Sequence, residues 1–209
     1  MKRFFSICVI ALFFTGGESE AQNSCKQIIG YYPSWQMYKR GGAVLPEILD
    51  YSRYTIINYS FFAPDSNGYL KGTDPWADTL LLRGRVDWGK PQPAYYSNTS
   101  LVDFAHLWGV KVMVSIGGWT LSDNFPEIAD DPKKTETFVK ECVRVIKDFQ
   151  FDGIDIDWEY PCYEEHSGRP DIDKKNFTKF MQAIRNGIDT LGKELDRELL
   201  LTAAFGANT

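Results

Sequence analysis

The chain has 209 residues, 44% apolar and 24% charged, which suits one globular domain with a sizeable core. Its formal charge of −5 argues against nucleic acid or an anionic membrane surface as the main partner. Only His106 and His166 accompany the cysteines, without metal-ligand spacing, so a zinc or thiol mechanism has little support. Aromatic residues at 15% lean mildly towards carbohydrate, because sugar rings stack their C–H faces on aromatic rings.

The N-terminus carries Lys2-Arg3, an apolar run over residues 4–14 and a small-residue site at Ser19-Glu20-Ala21. This reads as a secretory signal over residues 1–21, too short to span a bilayer, so the expected product is secreted, or periplasmic in a bacterium. No membrane partner is expected after its removal. Gln22-Asn23-Ser24 lacks the apolar and small residues of a lipid-anchor site at Cys25. Cys25, Cys142 and Cys162 would remain in the domain over residues 25–209, and an odd number permits at most one bridge. Cys142 falls on an apolar helical stripe and reads as a small buried residue.

Residues 27–32 form a short apolar strand closed by Pro33, and residues 45–49 begin a helical stretch around Pro46. Residues 54–61 are a second strand, apolar on both faces. Residues 63–98, rich in Gly, Pro, Asp and Trp, read as one long irregular loop. Asp65, Asn67, Asp74 and Asp78 lie in it, but their spacing fits no calcium loop, so Asx-turns and solvated charge are expected. Trp76 and Trp88 either line a cleft or pin this loop.

Residues 100–108 read as a helix with Leu101, Phe104, Leu107 and Trp108 inward, ended by Gly109, with His106 as a surface or cap residue. A third strand over residues 110–116 opens into Gly117-Gly118-Trp119. Glycines there let backbone approach a ligand and carry Trp119 to the mouth of the sheet; the alternative is a core Trp beside a tight turn. Asp131-Pro132 starts a helix whose buried stripe is Phe138, Cys142, Val145, Ile146 and Phe149.

Residues 151–161 are Phe-Asp-Gly-Ile-Asp-Ile-Asp-Trp-Glu-Tyr-Pro. As a strand they place Gly153, Asp155, Asp157 and Glu159 on one face and Asp152, Ile154, Ile156 and Trp158 on the other. Carboxylates about 6–7 Å apart in a sheltered place cannot all stay charged. One Asp is expected to hold a proton, and Glu159 to remain an acid near neutral pH, as glycosidic cleavage requires. A polar loop over 162–173 follows, with His166 exposed. Then comes a helix over 174–191, with Phe177, Met181, Ile184, Ile188 and Leu191 inward and Gly192 as its stop, and a strand over 198–205. Strands alternating with helices mean a parallel α/β sheet whose notable residues gather at strand C-terminal ends.

Residues 151–161 match the Asp-x-x-Asp-x-Asp-x-Glu signature of glycoside hydrolase family 18, and Tyr160-Pro161 resembles its chitinase branch. Ser115-Ile116-Gly117-Gly118-Trp119 resembles the family's second signature. The resemblance implies an eight-stranded (β/α)8 TIM barrel, about 250 residues in full, of which this chain would hold about the first five βα units. A complete five-stranded open sheet is the alternative.

The resemblance further implies hydrolysis of β-1,4-linked N-acetylglucosamine polymers, chitin or chitooligosaccharides, by a retaining, substrate-assisted route without cofactor or metal. Glu159 would be general acid and base, Asp157 with Asp155 would orient the substrate's 2-acetamido group, and Tyr31 and Ser115 would hydrogen-bond the aspartates. Phe61, Gly117, Gly118, Trp119 and Tyr160 would shape the sugar subsites of a monomeric enzyme. An endo-β-N-acetylglucosaminidase acting on glycoprotein cores and a non-catalytic chitin-binding lectin-like protein stay open as alternatives. Glu159 speaks against the second.

Overall fold

Strands that are apolar on both faces need helices on each side of their sheet. The structure, a computed structural model, describes residues 26–206 except 40, 41, 43 and 167, and without the side chain of His166. The expected signal segment and Cys25 lie outside the described residues, as does the expected exposure of His166.

The strands are β1 (Ile29–Pro33), β2 (Ile56–Pro64), β3 (Leu70–Gly72), β4 (Lys111–Gly117), β5 (Gly153–Asp157) and β6 (Leu200–Ala203). Five run parallel in the order β1-β2-β4-β5-β6, and β3 pairs antiparallel with the end of β2. The helices are α1 (Gln36–Lys39), α2 (Pro75–Leu82), α3 (Leu101–Leu107), α4 (Phe125–Asp130), α5 (Pro132–Phe149) and α6 (Pro170–Leu195). The five expected strands are thus present in the expected order and direction.

The register places Ser115 of β4 beside Asp155 of β5, and Asp155 beside Thr202 of β6. In-register neighbours in a parallel sheet point the same way, so one row of side chains crosses three strands. On the opposite face Ile154, Ile156 and Trp158 are fully buried against α4, α5 and α6, where Phe125, Phe138 and Phe180 meet at 4.8–6.0 Å between ring centres. Burying one such side chain contributes about 1.5–3 kcal/mol, so the apolar half of the 151–161 pattern pins the acidic half.

Helix ends follow local chemistry. The Asp131 carboxylate accepts the Lys133 and Lys134 amides at the start of α5, with Pro132 in the first turn as expected. Phe138, Cys142, Val145 and Ile146 are buried, as their stripe requires, whereas Phe149, at the last turn, is only partly buried against the core. Helix α6 departs from expectation at both ends. It starts at Pro170, four residues early, and runs through Gly192 to Leu195, where Asp196 takes the left-handed conformation at φ 51°. Gly192 instead admits the returning chain: a Cβ there would lie 2.7 Å from the Arg197 carbonyl.

Other expectations need correction. Residues 45–49 form turns rather than helix, and the helical segments nearby are α1 and a 3₁₀ turn at Tyr51–Arg53. The stretch 63–98 contains β3 and α2, with Asp74 capping α2 through the Ala77 amide. Asp65 makes the expected Asx-turn, accepting from the amides of Asn67 and Tyr69. Asp78 is buried rather than solvated; it accepts the Tyr59 hydroxyl at 2.5 Å, and burial pushes its carboxyl up to about 6. Trp76 and Trp88 are both largely exposed. Leu107 and Trp108 are 75% and 63% exposed, because α3 ends at Leu107 and only Leu101, Val102 and Ala105 are buried in it.

Candidate active site

Three carboxyl groups follow one another at the C-terminal end of β5. Asp155 is 2% exposed and receives three hydroxyls: Tyr31 and Ser115 on Oδ2, each at 2.9 Å, and Thr202 on Oδ1 at 2.5 Å. Register explains two of these donors, and Tyr31 reaches over from β1. Asp157 is 5% exposed, and its carboxyl is pushed up to about 7, first by burial, then by the charges of Glu159 and Asp155. The charges that raise Asp157 are those of two neighbouring carboxylates. Among the described residues no hydrogen bond joins the two aspartates, whose influence on each other is electrostatic. The Tyr31 hydroxyl is held well above its usual range by burial and by the charges of Asp155 and Asp157, so it remains a donor.

The strand ends at Asp157, and Glu159 stands beyond it, half-buried. The main chain here meets the turn after β4. Gly117 and Gly118 adopt φ of 111° and 100°, and a Cβ on Gly117 would lie 2.4 Å from the Asp157 carbonyl, so only glycine fits. The Gly118 amide donates to that carbonyl at 2.7 Å. A Cβ on Gly118 would press on the Phe61 ring at 3.1 Å. Phe61 itself sits where the β2–β4 register shifts between Ser60 and Phe62, a bulge that turns a side chain out of its row.

Aromatic rings surround this end of the sheet. Phe61 lies 6.4 Å from Tyr31 and stacks with Trp35 at 5.9 Å. Trp119, half-exposed, meets Tyr160 edge-on at 6.4 Å, and Tyr160 is raised above its usual range by a hydrogen bond to Glu159. A cavity of about 500 Å³, lined by Tyr160, Cys162, Lys174, Phe177 and Phe205 among others, opens beside it. Such an aromatic border can stack on a flat, weakly polar ring. Among the described residues no group of three His, Cys, Asp or Glu could hold a metal ion.

The family model for the glycosyl hydrolases family 18 matches residues 27–209. The chain belongs to glycosyl hydrolase family 18. It is 30% identical to chitinase A1 of Niallia circulans over all of this chain and 34% of that protein, and 34% identical to endochitinase 1 of Metarhizium anisopliae over 76% of this chain and 36% of that one. Chitinase ChiA74 from Bacillus thuringiensis superposes with a TM-score of 0.73 at 29% identity, over 88% of this chain and 36% of that structure. The family 18 chain therefore spans about a third of the length of these relatives. Its five parallel strands and their helices form part of a (β/α)8 barrel, which decides between the two folds considered from sequence.

The predicted residues Asp155, Asp157, Glu159, Tyr31, Ser115, Gly117, Gly118, Phe61, Trp119 and Tyr160 all gather at this one end of the sheet. Sequence reasoning missed Thr202, Ser122 and Trp35. Thr202 could have been found by counting register from the Ser115–Asp155 pair into the predicted last strand, and Trp35 by its place just past β1. Ser122 carries no signal of its own. His106, a surface or cap residue by sequence, has a part-exposed ring whose Nε2 lies 2.8 Å from Asp152 Oδ2 at the opposite end of β5.

Proposed function

We propose that the protein hydrolyses β-1,4-linked N-acetylglucosamine chains, chitin or its oligosaccharides, by a retaining route in which the substrate's own acetamido group is the nucleophile. The observation that carries this is Asp157: a buried carboxyl titrating at about 7 between Glu159 and a hydroxyl-bound Asp155. Membership of family 18 and similarity to chitinases support the same substrate class. One solved neighbour, a point mutant of catalytic domain 2 of the Ostrinia furnacalis group II chitinase, 26% identical with a TM-score of 0.69, is in complex with penta-N-acetylchitooctaose, (NAG)5.

In this mechanism Glu159 gives its proton to the glycosidic oxygen as the bond from C1 breaks. The acetamido carbonyl oxygen attacks C1 and forms an oxazolinium ion. Asp157 turns the acetamido group towards C1 and balances the positive charge, and a carboxyl poised near 7 changes charge at little cost. Glu159, now a carboxylate, takes a proton from water, which opens the ring at C1 with retained configuration. Tyr31, Ser115 and Thr202 hold the Asp155 carboxyl in place beneath this exchange. Phe61, Trp119 and Tyr160 stack on or border the sugar rings. Export as a monomer, through the signal at residues 1–21, completes the reading.

Glu159→Gln is expected to abolish hydrolysis of a chitooligosaccharide while binding, followed by tryptophan fluorescence, persists. Undiminished turnover would defeat the assignment. The product anomer, read by NMR within the first turnovers, is expected to retain configuration, and inversion would rule out the oxazolinium route.

A further inference from the structure

Ser122 takes no chemical part in the reaction proposed above, yet three main-chain atoms of the site converge on its hydroxyl. It lies in the turn between β4 and α4 and is 1% exposed. Its Oγ accepts the Glu159 amide at 3.0 Å and donates towards the carbonyls of Gly118 at 2.9 Å and Asp157 at 3.1 Å. The β4–β5 ladder ends at the Gly117–Asp157 pair, so no strand remains to receive the Glu159 amide. A side chain receives it instead, and the same hydroxyl ties that amide to the glycine turn before Trp119. Between the two tied residues, Trp158 is stacked on Phe125 at 5.5 Å and packed against Phe177 at 5.9 Å. Glu159 thus projects from a main chain fixed on one side by a buried ring and on the other by Ser122.

We propose that Ser122 is a positioning residue for Glu159: its hydroxyl supplies the hydrogen bond that the ended strand cannot, and so fixes the main chain from which the acid reaches the glycosidic oxygen. The inference rests on Glu159 being that acid. A proton donor displaced by about 1 Å loses on the order of 100-fold in rate, whereas ground-state binding by the aromatic rings is untouched. The kinetic mark is therefore a fall in kcat with KM preserved. The fall should also depend on the leaving group, because a good leaving group departs with little help from an acid.

The test compares the intact protein with Ser122→Ala on two substrates, an N-acetylated chitooligosaccharide and a 4-nitrophenyl glycoside of N-acetylated chitobiose. The expected result is a loss of kcat of about 10- to 100-fold on the oligosaccharide with KM within about twofold, and a several-fold smaller loss of kcat/KM, which reports the step in which the leaving group departs, on the nitrophenyl substrate. Equal losses on both substrates, or none, would overturn the role of Ser122 while leaving the proposed function standing. Should Ser122→Ala not fold, Ser122→Cys keeps the size but offers a poor acceptor, and the same pattern is expected of it; an undiminished kcat there would equally overturn the inference. Wild-type protein inert towards both substrates would sink the proposed function, and this inference with it.

Discussion

The two ends of β5 use the same residue type under opposite conditions. At the N-terminal end, the Asp152 carboxylate receives Arg197 Nη1 at 2.7 Å, His106 Nε2 at 2.8 Å and the Val112 amide at 2.7 Å, while Arg197 also donates to the Phe151 carbonyl at 2.9 Å. At the C-terminal end, Asp155 meets hydroxyls, and Asp157 is raised by burial and then by the carboxylates beside it. One acid is paired with Arg197 and ties α3, β4 and the turn before β6 together. The others are crowded together, and one of them titrates at about 7. A carboxylate in a strand becomes a staple or a reagent according to what faces it.

Three measurements would break or sharpen this contrast. The largest effect is expected at the upper end. Asp157→Asn should lower kcat about 10²–10³-fold without lowering the melting temperature, because the change removes a like charge from the column. A large loss of stability would mean that Asp157, too, is structural. The reverse is expected below: Asp152→Ala should cost about 3 kcal/mol in denaturant unfolding, since it strands a part-buried Arg197, while kcat of the folded fraction stays near native. A collapse of kcat there would erase the distinction between the ends.

The smallest effect concerns pH. Asp157 titrates in the native state at about 7 rather than its ordinary 3.8, so between these values the native protein keeps a proton that the unfolded chain has released. Stability should therefore fall as pH rises from about 4 to 7 and level off above. Asp78, raised to about 6, adds a similar slope, so the contrast to measure is native protein against Asp157→Asn. Their unfolding free energies should converge towards acid pH and separate as pH rises from about 4 to 7, the variant being the more stable above. A constant gap would show that the Asp157 carboxyl is not perturbed.

The upper end was far more legible in the sequence than the lower. Period-two alternation puts Asp155 and Asp157 on one face and Ile154, Ile156 and Trp158 on the other, and burial enforces that pattern. Arg197, His106, Ser122 and Thr202 act through contacts made only when residues 35–47 positions apart are brought together, and none sits in a repeating pattern. Boundaries failed where local chemistry competed with periodicity. The polar first turn of α6 hid its start at Pro170, and Gly192, a plausible stop, serves a close chain approach instead. Leu107 and Trp108 continued the apolar period of α3 past the point where the helix turns away from the core. Short elements such as β3 and α2 vanished among the glycines and aspartates of residues 63–98.

The packing of Trp158 gives the protein a built-in optical gauge. Its indole is 1% exposed, whereas Trp35, Trp76, Trp88, Trp108 and Trp119 are 37–74% exposed. Collisional quenchers such as iodide reach the latter five and spare Trp158, so the residual blue-shifted emission comes from the one peptide unit lodged between Asp157 and Glu159. Lifetimes recorded under quencher would follow the order of that unit alone, with no sugar added and no turnover needed.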